Sequence, residues 1–258
     1  AQHDGHLECL RCGRFRLGGV PAPGRRLPSW SYRWLTADMG WKAEILPSSI
    51  ERMAGEHNKI IAAAAKEVLG PIGFKRKGQT RLWILDHGFW LNTVGFRPGQ
   101  WSVSVDLDNA AHWLWAGHGF MSLDYFLRGS HASFEDAAQF SDAVMEIARE
   151  AASLAVQVEG RFSSFDAIAS FVIKEAEDSE RMRPSWFGYR AGLACGILGR
   201  QEEAEYFLRG ITDSRVSPHA APFLALTRRT ADFRSRVNEL VARQRAALKL
   251  PALGCDPF

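Results

Sequence analysis

The chain has few cysteines and lacks a long apolar run. Its four cysteines in 258 residues are Cys9, Cys12, Cys195 and Cys255. They are too few and too scattered for a disulfide framework, so a reducing, cytoplasmic location is expected. The uncharged run in the Trp-rich middle, Asn109 to Leu123, has 15 residues and includes two histidines, which is too short and too polar to span a bilayer. No N-terminal stretch resembles a signal peptide, and no membrane association is expected.

A large excess of charge of either sign is also missing. The formal net charge is +3, and residues 1–38 alone carry this excess, with six arginines, three acidic residues and no lysine. The remaining 220 residues balance at 26 basic and 26 acidic side chains, which gives no general electrostatic case for nucleic acid or an acidic membrane. Sequence motifs of serine hydrolases, zinc proteases and dinucleotide-binding enzymes are absent as well.

Residues 1–38 have no sustained period of 3.6 or 2.0, and Arg, Gly and Pro crowd together in Arg14 to Pro28. They therefore predict an irregular extension. Two interpretations are open: a disordered part of the native protein, or a non-native extension upstream of a start at Met39.

From Pro47 onward the pattern is regular and predicts an α+β fold. Helical spacing follows the capping-box pair Ser48 and Glu51 and ends at Gly70-Pro71. The period then changes to two. This alternation predicts three strands, which are Arg81 to Asp86, Phe89 to Phe96 and Trp101 to Leu107. Short turns between them predict an antiparallel meander. A fourth strand at His112 to Trp115 and a turn of helix at Met121 to Leu127 are further expectations.

The rest of the chain is predicted to be helical. Ser133 with Asp136, and Ser163 with Asp166, have the spacing of helix caps. The predicted architecture is an N-terminal helix packed on a three- to four-stranded antiparallel meander, with Trp101, Val103 and Val105 buried against that helix. A helical C-terminal region follows. The predicted domains are 39–180 and 181–258.

A short segment carries a family resemblance. The helix ends in Gly-Phe-Lys-Arg-Lys-Gly, Gly73 to Gly78, and is followed by a strand with Leu82, Trp83 and Ile84. Leu91 to Phe96 and the Trp101 to Leu107 strand come next. This order resembles the DUF4304 family of uncharacterised bacterial proteins over about residues 55–180. The resemblance implies an α+β domain and no established activity.

Residues 189–211 resemble one tetratricopeptide-type helical hairpin. Gly192, Gly199 and Ala204 have its spacing, and Leu193 and Leu208 occupy apolar positions that fit it. No second copy occurs at a period near 34, so a lone hairpin packed on the preceding domain is expected.

Four possible metal ligands lie near the start of the chain: His3, His6, Cys9 and Cys12. Imidazole and thiolate ligands suit tetrahedral Zn²⁺. Four ligands within ten residues would strain the backbone, however, so free thiols in a non-functional extension are the preferred interpretation and no cofactor is predicted.

The predicted binding residues are basic and aromatic. Lys75, Arg76 and Lys77 either meet a phosphate or an acidic partner surface, or form a solvated turn. Trp83 and Trp90 either reach the rim of the sheet, where a partner could contact them, or belong to the core.

The preferred function is a non-catalytic binding protein, with an immunity or inhibitor role as one version, and a protein as partner through the exposed sheet face or the hairpin. The alternative is a metal-dependent hydrolase or nuclease, for which one set of residues is available: Asp106, Asp108, His112 and His118. The sequence leaves the oligomeric state open.

Overall fold

The computed structural model describes residues 48–99 and 103–258, with side chains from residue 55 onward. These residues form a five-stranded antiparallel sheet and seven α-helices. The strands are β1 Lys75–Arg76, β2 Leu82–Asp86, β3 Trp90–Pro98, β4 Ser104–Trp113 and β5 Tyr125–Ser133. The helices are α1 Ser48–Leu69, α2 Ala137–Arg161, α3 Phe165–Asp178, α4 Gly188–Ile197, α5 Gln201–Arg209, α6 Ser217–Leu224 and α7 Thr230–Ala247. Residues 1–38, Trp101 and the side chains of Ser48 and Glu51 lie outside the described part.

The sheet is a simple meander in which each strand pairs with the next along the chain. The first three connections favour this order, because they have only three to five residues and so return each strand beside its predecessor. Gly88 makes the β2–β3 turn with a φ of 86°, which a side chain would disfavour. The predicted α+β class and antiparallel meander are thus confirmed, although the sheet has five strands instead of three to four.

One face of the sheet packs against α1 and α2, as the alternation in β3 and β4 predicts. The core between them contains Trp83, Val94, Phe96, Val105 and Leu107 from the sheet, and Ile61, Ala64, Phe140 and Val144 from the helices. Val105 is fully buried, whereas Val103 precedes β4 and is 38% exposed. The predicted burial of Val103 is therefore wrong, because the strand begins one residue later.

The connection between β4 and α2 differs most from expectation. β4 continues to Trp113, so the predicted fourth strand belongs to it, and a single 3₁₀ turn, Leu114–Ala116, follows. Residues predicted as a turn of helix lead into β5 instead. Gly129 and Ser130 interrupt the period-two pattern of β5, and the register between β4 and β5 shifts there by a bulge. A bulge moves later side chains out of simple alternation, which hides a strand from periodicity analysis.

Helix starts are shifted slightly from the predicted caps. Asp136 caps α2, because its Oδ1 accepts hydrogen bonds from the backbone N–H groups of Ala138 and Gln139. Ser133 cannot cap α2, since it belongs to β5 and pairs with Ser104. In α3 the cap is Ser164, whose Oγ accepts from Ala167 N.

The C-terminal helices pack on the same body as the sheet. α4 and α5 form the predicted hairpin around Gly199, which has a φ of 76°, and Gly192 lies directly against Leu208. A second core joins Trp90 and Trp113 of the sheet to Phe162, Leu193 and Phe233 of the helices. The described residues belong to one compact unit, and residues on both sides of position 180 share a core.

Candidate functional site

The second face of the sheet is covered only at one end by the described residues. At the other end lie side chains that are half-buried or exposed, which we call the open sheet face: Arg97, Asp106, Asp108, Phe126, Arg128 and His131. They stand in adjacent rows across β3, β4 and β5, because Arg97 is paired with Asp106, Asp106 with His131, and Asp108 with Arg128. This end of the sheet presents charged groups of both signs to solvent.

Cross-strand ion pairs organise the open sheet face. Arg97 Nε lies 2.9 Å from Asp108 Oδ2, and His131 Nδ1 lies 3.0 Å from Asp106 Oδ1. Partial burial raises the pKa of Asp108, although the neighbouring guanidinium groups of Arg97 and Arg128 act in the opposite direction. Such pairs hold long side chains in place on a surface where each alone contributes little to stability.

The covered end of this face is closed by α7. Arg245 donates to both carboxylate oxygens of Asp86, at 2.8 and 2.7 Å, and to the carbonyl oxygens of Gly88 and Pro251. Its side chain is 4% exposed. This arginine therefore fastens α7 to the β2–β3 turn with its charge neutralised by Asp86.

A buried polar cluster lies beside this covered end, in the loop between β4 and β5. Asp124 accepts hydrogen bonds of 2.8 Å from Trp113 N, Ser122 Oγ and Arg190 Nη1. Arg190 of α4 also donates to Glu175 of α3 at 3.2 Å. The cluster thus ties the loop to the sheet and to two helices.

The carboxylate of Asp124 is ionised in this environment. Burial alone would raise its pKa, but the adjacent imidazole rings of His112 and His118 and the charge of Arg190 hold the pKa well below its usual range. For Glu175 the balance is opposite: burial raises its pKa and outweighs the attraction of Arg190. The cluster therefore holds one firmly ionised carboxylate paired with one arginine.

Ser122, His112 and Asp124 are close together, yet they do not form a nucleophilic triad. Ser122 Oγ and Asp124 Oδ2 approach the same ring nitrogen, His112 Nδ1, at 2.9 and 3.3 Å. A triad needs the serine and the carboxylate on opposite nitrogens of the ring. The other nitrogen, Nε2, faces the side-chain amide of Gln244 at 3.2 Å, and His112 is fully buried. This arrangement holds the β4–β5 loop in place. It does not give the Ser122 hydroxyl the histidine general base that a catalytic triad provides.

The predicted hydrolase residues are separated. Asp106 and Asp108 lie on the open sheet face, whereas His112 and His118 are buried against Asp124. Asp106 and His112 are six positions apart along β4, which is about 20 Å in an extended strand. Among residues 48–99 and 103–258, no group of three or more His, Cys, Asp or Glu side chains is placed to share a metal ion. The four residues thus do not converge as a single centre.

The basic predicted binding residues play unequal parts. Arg76 caps its own turn, because its guanidinium donates to the carbonyl oxygens of Thr80 and Gln79 at 2.6 and 2.9 Å. Burial, together with the nearby charge of Lys249, lowers the pKa of Lys77. Lys75 is exposed. Only part of this basic turn therefore faces solvent freely.

Both tryptophans expected at the rim are in the core. Trp83 is 5% exposed among the residues under α1 and α2, and Trp90 is 2% exposed and stacks on His87 with ring centroids 4.3 Å apart. Neither indole ring is accessible to an external partner, because both lie on the face of the sheet that the helices cover. The proposed zinc ligands His3, His6, Cys9 and Cys12 lie outside the described residues.

Sequence reasoning missed the centre of the buried cluster, Asp124 and Arg190. Asp124 lies in a loop without periodicity, and Arg190 occurs in a predicted helix whose burial on all sides is not visible from the sequence. One signal in the sequence was Arg190 itself, which lies beside a stretch of small and apolar residues. A buried arginine in such a helix requires a partner of opposite charge.

Comparison with models of protein families, with curated proteins and with solved structures finds no match for this chain. The resemblance to DUF4304 therefore stays a prediction. Within the part of the chain that the structure describes, none of the helices combines the length and the apolar character needed to cross a bilayer.

Proposed function

We propose that the protein is a non-catalytic binding protein whose partner is another protein, and that it binds through the open sheet face. The observation that carries this proposal is that the described residues cover only one end of the second face of the sheet. One end of the face is closed by α7, whereas no described element packs over the end that holds Asp106, Asp108 and Arg128. Phe126, 38% exposed, lies at the border between the two ends and offers an apolar contact.

The charge pattern favours a protein partner. Two arginines and two aspartates alternate across three strands, so the surface has no net excess of positive charge to neutralise phosphates. Fixed charges of both signs instead suit a complementary protein surface, where they select the partner and its orientation. An exposed aromatic ring beside arginine is also the composition that dominates binding energy in protein interfaces.

Residues 181–258 carry 13 basic and 7 acidic side chains, which is the strongest point in favour of nucleic acid. Six of these arginines form ion pairs with carboxylates of the same region, for example Arg200 with Glu203 and Arg229 with Asp232. Eight of the 13 basic side chains are therefore engaged in ion pairs, because Arg190 and Arg245 also pair with Asp124 and Asp86. This compensation supports the choice of a protein partner.

The non-catalytic part of the proposal rests on the separation of acid-base residues. The hydrolase alternative requires Asp106, Asp108, His112 and His118 around one substrate, and these groups are divided between a surface and a closed interior. An inhibitor or immunity role is a version of the same proposal, in which the partner is an enzyme whose surface the open sheet face covers.

The test uses the full chain as bait in a lysate of the native host. Two variants change the open sheet face, Arg128→Glu and Phe126→Ser, and the control Arg149→Glu reverses an exposed charge on α2, on the opposite side of the sheet. We expect one protein to be retained by the wild type and the control but reduced at least about tenfold by both face variants. Unchanged melting temperatures establish that all variants are folded. The proposal fails if no captured protein distinguishes the face variants from the control.

A further inference from the structure

Asp106, His131 and Ser133 form a chain of hydrogen bonds on the open sheet face. His131 Nδ1 lies 3.0 Å from Asp106 Oδ1, and His131 Nε2 lies 3.2 Å from Ser133 Oγ. The carboxylate and the hydroxyl thus contact opposite nitrogens of one ring, which is the order that a nucleophilic triad requires. The buried serine of the β4–β5 loop lacks this order, because its hydroxyl and the nearby carboxylate share one ring nitrogen.

Strand pairing brings these three side chains together. β4 places Asp106 directly opposite His131 of β5. Residues two apart on a strand share a face, so Ser133 follows His131 on the same side of the sheet. The pairing is regular over residues 131–133, since the bulge in β5 precedes them. The backbone of the two strands therefore fixes the spacing of the three groups.

The hydrogen bonds assign the proton positions in the neutral ring. An ionised carboxylate only accepts hydrogen bonds, so His131 Nδ1 carries the proton and donates it to Asp106. His131 Nε2 then keeps its lone pair and accepts from the hydroxyl of Ser133. This nitrogen is in position to take the hydroxyl proton when Ser133 Oγ attacks an electrophile.

The three groups are accessible to a reagent in solvent. The side chains of His131 and Asp106 are 49% and 32% exposed, and Ser133 is exposed. Phe134 N donates to Val103 O, so the alternation of an antiparallel pair directs the N–H of Ser133 away from β4, toward the free edge of β5. This N–H is a single oxyanion donor in open solvent, whereas turnover by serine hydrolases uses several preorganised donors in a site that excludes water.

We propose that Ser133 is an acylation site that takes the acyl group of an activated ester, a compound with a weakly basic leaving group. Ser133 Oγ attacks the carbonyl carbon and His131 Nε2 accepts the hydroxyl proton. The bond between that carbon and the leaving oxygen breaks, and the leaving group receives the proton from His131. The product is an alkyl ester with a poor leaving group, so the reaction stops after one transfer. This modification rests on the geometry of the three residues alone and is independent of the protein-binding proposal.

The test treats the full chain with p-nitrophenyl acetate at pH 7 and measures acetylation of each serine by peptide mass spectrometry. We expect Ser133 to react at least about tenfold faster than Ser130, an exposed serine of the same strand. His131→Gln should lower the rate at Ser133 to that of Ser130, whereas the control Ser130→Ala should leave it unchanged. Equal rates at the two serines of the wild type, or an unchanged rate in His131→Gln, would overturn the proposal.

Asp106 is a positioning residue, because it acts on Ser133 through the ring of His131. Asp106→Asn should slow acetylation of Ser133 at least about tenfold, since an amide donor disfavours the required tautomer. Asp106→Glu restores a carboxylate and should recover most of the rate. Equal rates in these two variants, at unchanged melting temperatures, would contradict the role of the carboxylate.

The release of p-nitrophenolate tests the single transfer. The difference in release between the wild type and Ser133→Ala should level off at about one equivalent per chain. A difference that keeps growing would overturn the single transfer, because it would show that the acyl group is hydrolysed and the serine reacts again.

Discussion

Arg190 and Asp124 form an ion pair of 2.8 Å although 66 positions separate them in the sequence. Their side chains are 8% and 2% exposed, so the pair is withdrawn from water. Two buried charges are tolerated only when each compensates the other and their remaining hydrogen-bonding groups are satisfied. This pair connects α4 to the β4–β5 loop, which α7 also holds through the hydrogen bonds of Gln244 with Gly119 N and Phe120 O.

Removing one charge of this pair is predicted to destabilise the fold strongly. In Asp124→Asn the guanidinium of Arg190 keeps its buried position but loses its principal counter-charge. We expect a decrease in the free energy of unfolding of about 3–5 kcal/mol. Urea denaturation followed by circular dichroism measures it.

The matched control for Asp124→Asn is Glu146→Gln, which removes the carboxylate of an exposed ion pair with Arg149 on α2. Surface changes of this kind are worth no more than about 0.5 kcal/mol. If the two variants lose similar stability, the buried pair has no special weight and the loop is held by its other contacts.

The stabilising effect of Asp124 is predicted to depend on pH in one direction. Its folded-state pKa is held well below the usual range by His112, His118 and Arg190 despite the opposing effect of burial. The unfolded chain takes up the proton near pH 3.9, so the stabilisation is complete above about pH 5 and is lost as the pH falls toward the folded-state pKa. We therefore expect the stability difference between wild type and Asp124→Asn to be constant from pH 7 to 5 and to shrink below about pH 4. A difference that grows on acidification would place the folded-state pKa above the unfolded one.

Local sequence patterns predicted the parts of the fold that depend on local structure. Period-two alternation located β2 and β3 and the buried face of β4, and helix signals placed α2 and α3 within a few residues. β5 was missed because Gly129 and a bulge interrupt its alternation. Trp83 and Trp90 were misplaced because a strand pattern gives the two faces of a sheet but not which of them is covered. Both indole rings lie on the helix-covered face, Trp83 in the core with α1 and α2 and Trp90 against Phe162 at the end of α2.

The candidate sites depended still more on contacts distant in sequence. Asp106 and Asp108 are close to His112 along the chain, yet the extended strand separates them. Asp124 and Arg190 are far apart in sequence, and packing brings them together. No spacing rule predicts such a pair, because it results from the way helices dock on the sheet. The open sheet face could be predicted only in outline, since its extent is set by where α7 ends.

A close approach between α4 and α7 is predicted to make Gly196 irreplaceable. A Cβ atom added at Gly196 would lie 2.2 Å from the ring of Phe233, which is itself fully buried. We expect Gly196→Ala to lower stability by about 1–3 kcal/mol, because the overlap forces the ring or the helix to move. Gly160→Ala in α2 is the matched control, since a Cβ there meets nothing within 4 Å. It should be neutral or stabilising by up to about 1 kcal/mol through helix propensity. Thermal denaturation of both variants measures the two effects. If Gly196→Ala is as stable as the wild type, α4 and α7 pack less tightly than the structure indicates.

The two described cysteines are predicted to react very differently with alkylating reagents. Cys195 lies in α4 and is fully buried, and burial raises the pKa of its thiol to about 12. Since the thiolate is the reacting form, Cys195 should be inert to iodoacetamide at pH 8 in the native protein. Cys255 is exposed and should be alkylated under the same conditions. Mass spectrometry of the separate peptides distinguishes them from Cys9 and Cys12.

In rising urea, alkylation of Cys195 should begin together with global unfolding, because its burial depends on the shared core of the sheet and the C-terminal helices. Alkylation of Cys195 well before global unfolding would instead show that α4 detaches from the sheet as a separate unit.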